Sequence, residues 1–198
     1  MNIEKAADQR AAAEHDSVLD CGPFVRSFPD SINAMRASSA KTATRLGGVE
    51  AVSAADVRPL RHRVLRAGMP AEAAVFANDD SSIHLAVRDE RGEVVAVASV
   101  HEEAMPSDPR DGDWRLRGMA VDPAWQGTGV GSKLLAACVE RVAIEGGRRL
   151  WCNARTPAER FYARGGFATL SPVFDIPTAG PHVVMARDIA AAHPSDGR

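Results

Sequence analysis

The chain has 198 residues, of which 45% are hydrophobic and 25% are charged, a composition typical of one well-packed globular domain. The formal net charge of −2 gives no general attraction to nucleic acids or anionic membranes, and largely apolar runs such as 94–100 are far too short to span a bilayer. The N-terminus lacks the apolar segment of a secretory signal, and the three cysteines are widely spaced without a CxxC pattern. We therefore expect a cytoplasmic protein, monomeric or homodimeric, without a metal, nucleic-acid or membrane partner.

Residues 1–49 lack sustained hydrophobic periodicity and are rich in alanine, serine, arginine and aspartate. This composition predicts a mostly disordered extension with one short helix near 4–14. The alternative is that the natural chain starts at Met35. The sharper patterns that follow predict a domain over 50–190, and we expect a disordered tail over 191–198.

From Val49 onward, patterns typical of strands and helices alternate. A strand and a helix cap at 49–56 precede a basic amphipathic helix that is closed by Gly68 and Pro70. Two β-rich runs flank the turn sequence DERGE and predict a hairpin, and after a polar loop at 104–113 a strand runs to Pro123.

The second half of the domain begins with an amphipathic helix, in which apolar residues recur every four positions until Gly146 and Gly147. A strand at 148–155 leads into a short helix, with Thr156 as the predicted N-cap and Pro157 in the first turn. Two strands, at 168–176 and 182–189, close the domain around the turn PTAGP. The alternation predicts a mixed α/β sheet.

Three glycines, Gly127, Gly129 and Gly131, stand between the strand that ends at Pro123 and the long helix. The spacing does not fit a Walker loop, which needs GK followed by Ser or Thr, nor a Rossmann loop, which needs GxGxxG. Such a loop still presents backbone N–H groups and the positive end of a helix to an anion. It therefore predicts a phosphate site, with a tight turn that binds nothing as the alternative.

The sequence QGTGVG at 126–131 matches the Q/R-x-x-G-x-G/A signature of the GCN5-related N-acetyltransferases (GNAT), and AERFYARGGF at 158–167 resembles a later helix of the same family. The segment PHVVMARDI resembles the family's last strand, so the resemblance covers about 50–190. It implies a single domain with a central, mostly antiparallel twisted sheet, flanking helices, and a splayed strand pair at the acyl-CoA site.

The resemblance also implies an acetyl-CoA-dependent N-acetyltransferase, in which the amine of a small molecule or an exposed amino group attacks the thioester directly. The strand 117–121 would splay from its neighbour and bind acetyl-CoA together with the glycine loop. The implied acetyl-CoA contacts are Met119, Ala120, Val121, Gln126, Gly127, Thr128, Gly129, Val130, Gly131, Ser132 and Asn153. Many members carry an asparagine where this chain has Arg155, so Asn153 would substitute if it faces the cleft, and Arg155 could reach a CoA phosphate.

Tyr162, the one tyrosine of the chain, falls at the family's general-acid position. Adjacent helix residues point about 100° apart, so we expect Phe161 in the core and Tyr162 in the cleft, with a packing tyrosine as the alternative. Candidates for the general base lie at the end of one strand, where alternation sends Glu102 to one face and His101 with Glu103 to the other. A solvated strand end and a water relay are the alternatives.

Other polar residues carry weaker signals. His182 could line the amine site, with a surface histidine as the more common explanation, and the acidic residues of the 104–113 loop could attract a cationic amine, with a solvated loop as the alternative. Cys138 and Cys152 have the pattern of core residues. The rival function is a non-catalytic module that binds acyl-CoA, and the acceptor amine is not identified by the sequence.

Overall fold

The computed structural model describes residues 46–177 and 179–190, and the predictions for 1–45 and 191–198 lie outside these residues. The helices in this part are α1 (Ala54–Leu65), α2 (Val130–Ile144) and α3 (Glu159–Arg164). The strands are β1 (Leu46–Val52), β2 (Ile83–Asp89), β3 (Val94–Glu102), β4 (Asp113–Val121), β5 (Arg149–Arg155), β6 (Ala168–Thr169), β7 (Phe174–Ile176) and β8 (Gly180–Asp188). Short 3₁₀ turns occupy Ala71–Ala74, Asp79–Ser81, Pro123–Trp125 and Thr156–Ala158.

The strands form one sheet in the order β1-β2-β3-β4-β5-β8-β6, and β7 also pairs with β8. Only the β4–β5 pair is parallel among the described strands, so the predicted mixed α/β fold with a mostly antiparallel sheet is confirmed. α1 covers one face, where Leu60 packs with Val97, and α2 and α3 cover the other, where Leu134 packs with Ala98. We call these the α1 face and the α2 face.

α1 begins at Ala54, earlier than its apolar pattern predicts. The reason is a capping box: the Asp56 N–H donates to the Ser53 hydroxyl, and the Ser53 N–H donates to the Asp56 carboxylate at 3.1 Å. α2 matches the predicted helix, and Cys138 and Cys152 are buried in the core as expected. None of the helices in 46–177 and 179–190 is long and apolar enough to cross a membrane.

Three boundary predictions are wrong. Residues 46–49, expected in the extension, belong to β1, which pairs with β2. Thr156 is not an N-cap, because it opens a 3₁₀ turn that no side chain caps. The strand expected over 168–176 is split into β6 and β7, since Pro172 has no N–H and the Ser171 hydroxyl takes the hydrogen bond from the Val184 N–H at 2.8 Å.

Candidate active site

β4 and β5 separate along most of their length. They pair over Asp113–Arg115 and Arg149–Trp151 and nowhere further along either strand. Residues 116–121 of β4 and 152–155 of β5 therefore border an opening in the sheet, which we call the gap. The splay expected for 117–121 is present, and it leaves backbone groups of β4 without a partner strand on that side.

The closed end of the gap is fixed by a buried ion pair between Asp113 and Arg149, whose side chains are 1% and 3% exposed and 2.7 Å apart. Arg149 also donates to the Asp108 carboxylate at 2.8 Å. Burial opposes the ionisation of Asp113, but Arg149 and two backbone N–H donors hold its pKa below the usual range. Asp113 and Asp108 therefore anchor the loop at 104–113 to β5, while its residues 106–111 are exposed, as the interpretation of a solvated loop predicts.

A β-bulge interrupts β4 beside the gap. Val97 pairs with Ala120 but Ser99 pairs with Arg117, so two residues of β4, Gly118 and Met119, oppose one residue of β3. Gly118 has a φ of +62°, and a Cβ there would lie 2.6 Å from Arg61 Nε. A glycine is thus required both by the backbone conformation and by the close packing. The bulge changes the direction in which the following residues present their backbone groups to the gap.

The residues packed against the bulge form a buried polar network on the α1 face, at positions that no motif in the sequence marks. The fully buried Arg61 donates to Asp79 at 2.7 Å and to the Ser99 hydroxyl at 2.5 Å. His84 contacts the same hydroxyl at 2.6 Å, and burial is the main reason that its pKa is lowered. A helical signal was available, since Arg61 lies four residues after the buried Val57.

The glycine loop follows the open end of β4. Gly127 and Gly129 have φ values of +77° and +88°, and an added Cβ at either would meet no atom within 4 Å. α2 starts directly after Gly129, and no side chain caps its first turn. The loop therefore exposes uncapped N–H groups at a helix N-terminus, as an anion site requires. At the third glycine, Gly131, an added Cβ would instead lie 3.4 Å from the Phe161 ring.

Two predicted contact residues hold the loop in place through their side chains. Gln126 Nε2 donates to the Val121 carbonyl at 3.2 Å, and the Thr128 hydroxyl donates to the Trp125 carbonyl at 2.7 Å. Met119 lies on the α2 face and Ala120 on the α1 face. Val130 is buried, whereas Ser132 is exposed.

Tyr162 is fully buried on the α2 face, and its hydroxyl reaches the Met119 sulfur at 3.8 Å. Phe161 is partly exposed and lines a cavity of about 450 Å³ between α2 and α3, together with Arg164 and Arg187. We predicted Phe161 in the core and Tyr162 in the cleft. The burial of the two side chains is the reverse of this prediction, because Tyr162 is the more buried residue. The Tyr162 hydroxyl nevertheless contacts the bulged part of β4.

The predicted alternation at the end of β3 is confirmed. Glu102 is exposed, whereas His101 Nε2 lies 2.6 Å from Glu103 Oε2 on the other face. Arg115 donates to the second oxygen of Glu103 at 2.7 Å. Burial opposes the ionisation of Glu103, but the hydrogen bond from His101 and the charge of Arg115 hold its pKa below the usual range.

The α1 face of β5 and β8 carries Asn153 and Arg155, which are paired with Val184 and His182. Asn153 is thus on the gap-bordering part of β5 but on the face opposite Tyr162. His182 is fully buried, which corrects the interpretation as a surface residue. Its Nδ1 lies 2.8 Å from the Gly180 carbonyl and its Nε2 has no hydrogen-bond partner; burial is the main cause of its lowered pKa.

The chain is similar to known proteins. Residues 50–167 match the model of the acetyltransferase (GNAT) family. The uncharacterized N-acetyltransferase YitI of Bacillus subtilis (strain 168) is 32% identical over 143 residues, which are 71% of this chain and 95% of that protein.

Two solved structures show the same fold. The IAA acetyltransferase of Bacillus cereus ATCC 14579 has a TM-score of 0.59 at 18% identity, over 73% of this chain and 99% of that one. The GNAT family N-acetyltransferase YhbS of Escherichia coli, solved in complex with CoA, has a TM-score of 0.57 at 17% identity, over 77% and 86% of the two chains. The match of more than half of the chain to the family model and the identity to YitI agree with the splayed strands and the glycine loop. The chain belongs to the GNAT family and is an N-acetyltransferase, which takes its acyl group from acyl-CoA.

Proposed function

We infer that the protein transfers an acetyl group from acetyl-CoA to a primary amine of a small molecule, or to an exposed amino group, by direct attack of the amine on the thioester. The observation that carries this proposal is the continuity of two surfaces. The uncapped N-terminus of α2 follows the unpaired edge of β4 after the short turn Pro123–Trp125 and the glycine loop. An extended molecule with a phosphate at one end fits both.

The CoA pyrophosphate is expected on the backbone N–H groups of Gly127, Gly129, Val130, Gly131 and Ser132. The N-terminus of α2 carries a partial positive charge, and there is open space beside Gly127 and Gly129. Both features favour the binding of a bulky anion. Gln126 and Thr128 then act by shaping the loop, since their side chains bond the backbone.

The pantetheine arm is expected along Met119, Ala120 and Val121, where β4 lacks a neighbour on the β5 side. The cavity between α2 and α3 is available to the remainder of CoA, with Arg164 and Arg187 as cations beside it. Asn153 borders the gap from the α1 face and is a weaker candidate for this contact.

The chemistry follows from the two faces of the gap. A backbone N–H at the bulge is the candidate donor to the oxyanion, because preorganised N–H groups stabilise charge as it develops. Tyr162 reaches the gap from the α2 face and is the candidate proton donor to the leaving thiolate. The amine then enters from the α1 face, where Glu103, acting directly or through the imidazole that it contacts, is the candidate group for its proton; Glu102 is exposed on the opposite side of the strand.

The proposal is tested by thermal shift and by acyl-CoA consumption. Acetyl-CoA at a hundredfold excess over its Kd should stabilise the protein by about 2.7 kcal/mol, and ATP with Mg²⁺ should do far less. Consumption is followed with a panel of amines: a polyamine, an aminoglycoside, free amino acids and a peptide with a free N-terminus. Binding of acetyl-CoA without turnover of any of these would favour the non-catalytic alternative.

A pair of glycine variants locates the site. Gly129→Glu places bulk and negative charge at the N-terminus of α2, so it should abolish the acetyl-CoA shift. Gly146→Glu is the matched control, because Gly146 has a φ of +82° and the same open surroundings at the other end of α2. Unchanged acetyl-CoA affinity in Gly129→Glu, or an equal loss in both variants, would refute the assignment of the loop.

A further inference from the structure

His101 and Glu103 have the arrangement of a base and the carboxylate that orients it. The imidazole is 4% exposed, and its Nε2 lies 2.6 Å from Glu103 Oε2. Glu103 is fixed in turn by Arg115, at 2.7 Å from its other oxygen, and the Arg115 guanidinium lies over the Trp151 ring at 4.7 Å. The carboxylate is therefore held from two sides, and the imidazole cannot rotate without losing a short hydrogen bond.

The contacts determine which ring nitrogen carries the proton. An ionised carboxylate accepts hydrogen bonds and cannot donate them, so the short contact requires a proton on His101 Nε2. Asn78 Nδ2 lies 3.0 Å from the same nitrogen. Because a protonated Nε2 cannot accept a hydrogen bond, this tautomer requires the Asn78 amide to turn so that its oxygen faces the ring. In the neutral ring, Nδ1 then carries the lone pair. It is buried without a hydrogen-bond partner, an arrangement that calls for a water molecule or a substrate proton.

The position of His101 suits an amine that enters from the α1 face. His101 pairs with Arg115, and Arg115 is the last residue of β4 that pairs with β5. The gap opens at the next residue. Tyr162 lies on the α2 face, so an acyl group in the gap would have a proton donor on one face of the sheet and a proton acceptor on the other.

We propose that His101 accepts the proton of the attacking amine on Nδ1, directly or through one water, and that Glu103 orients the ring and stabilises the imidazolium. This inference rests on the proposed function. The ammonium gives one proton to Nδ1, and the freed nitrogen lone pair forms the C–N bond. The C–S bond breaks with its electrons on sulfur, which takes the Tyr162 proton. The second proton of the amine returns to the tyrosine oxygen through water, and His101 releases its proton to solvent.

Charged and titratable groups surround His101 on each neighbouring element. They are Glu103 on its own strand, Arg115 and Arg117 on β4, His84 on β2 and Asp79 in the turn before β2. Asp79 is paired with Arg61, which leaves Glu103 as the carboxylate in contact with the ring. His182 is the natural comparison, because it is also buried on the α1 face with one ring nitrogen unpartnered, but its other nitrogen contacts a carbonyl rather than a carboxylate.

The first test is independent of the acceptor. Long-range ¹H–¹⁵N NMR of the full chain at neutral pH should show His101 with a proton on Nε2 and a bare Nδ1, assigned by comparison with His101→Gln. Glu103→Gln should shift the ring toward a mixture of tautomers, because the amide can donate to Nε2. A proton on Nδ1 in the wild-type protein would overturn the proposal.

The second test uses the fastest amine of the panel named above. His101→Gln should lower kcat on the order of 10²- to 10⁴-fold at neutral pH and remove the acid limb of the kcat/KM pH profile. Glu103→Gln should give a smaller loss of kcat, and His182→Gln should keep the acid limb of the kcat/KM profile. The acetyl-CoA thermal shift, unchanged in all three variants, shows that they are folded.

The outcomes separate this inference from the proposed function. If the wild-type protein transfers acetyl groups and His101→Gln keeps a normal kcat and the acid limb of the kcat/KM profile, only the role of His101 is overturned. The same conclusion follows if the acid limb is lost in His182→Gln instead. A wild-type protein that neither binds nor consumes acetyl-CoA would contradict the proposed function itself. If His101→Gln fails to fold, the tautomer measurement and Glu103→Gln decide the question.

Discussion

Gly118→Ala should destabilise the domain well beyond the ordinary cost of a non-glycine residue at positive φ. That cost is about 1–2 kcal/mol, and it applies equally to Gly92→Ala in the β2–β3 turn, where φ is +82° and an added Cβ meets no atom within 4 Å. At Gly118 the Cβ would lie 2.6 Å from Arg61 Nε and 2.8 Å from the Phe76 ring. Arg61 cannot withdraw without breaking its 2.7 Å ion pair with Asp79, so overpacking adds about 1–3 kcal/mol.

The expected loss in the free energy of unfolding is therefore about 2–5 kcal/mol for Gly118→Ala and about 1–2 kcal/mol for Gly92→Ala. Urea titration followed by tryptophan fluorescence measures both, with the slope unchanged if the unfolded state is unaffected. Because the bulge sets the backbone beside the gap, kcat should also fall in Gly118→Ala and not in Gly92→Ala. Equal losses of stability in the two variants would refute the packing argument, and normal kcat in Gly118→Ala would refute the role of the bulge.

Two further predictions concern a hydroxyl and an ion pair. Tyr162→Phe should lower kcat on the order of 10²- to 10⁴-fold with acetyl-CoA affinity unchanged, and should cost no more than about 1 kcal/mol of stability because the rings are nearly isosteric; wild-type kcat with one competent amine would remove the hydroxyl from the mechanism. Asp113→Asn should cost about 3 kcal/mol, since it leaves the buried Arg149 without its main partner. The folded-state pKa of Asp113 is lowered, so its contribution is complete above about pH 4 and is lost as the pH falls through the folded-state value. Urea midpoints between pH 7 and pH 3 should therefore fall more steeply for the wild-type protein than for Asp113→Asn, and parallel curves would contradict this.

The elements with strong local signals could be predicted from the sequence. In α2, apolar residues recur every four positions from Val130 to Val142, and the helix is found where this pattern lies. The β2–β3 hairpin follows from two apolar runs around a turn that contains a glycine at positive φ. The glycine loop could be placed because it depends on neighbouring residues only.

The parts that could not be predicted depend on contacts distant in sequence. Arg61 lies on the buried stripe of α1, four residues after Val57, but the partners that make a buried guanidinium tolerable there, Asp79 and Ser99, are brought to it only by the sheet. The bulge at Gly118 requires the register between β3 and β4. Tyr162 is buried against Met119 and Phe167, while Phe161 lines the cavity beside α2, and the periodicity of the short helix α3 alone does not contain these contacts.

The short pairing of β4 with β5 divides the sheet into two half-sheets, one made of β1–β4 and the other of β5–β8. A seam of three residue pairs, Asp113–Arg115 with Arg149–Trp151, joins their backbones. The buried Asp113–Arg149 ion pair and the common core on the α2 face hold the two half-sheets together. The seam itself has few backbone hydrogen bonds, so we expect it to open locally at a lower free energy than global unfolding. Amide hydrogens at the seam should exchange with solvent sooner than those in the middle of β2 and β3. A molecule that bonds both edges of the gap would act as a missing strand, and its binding should appear as slower exchange across both half-sheets at once.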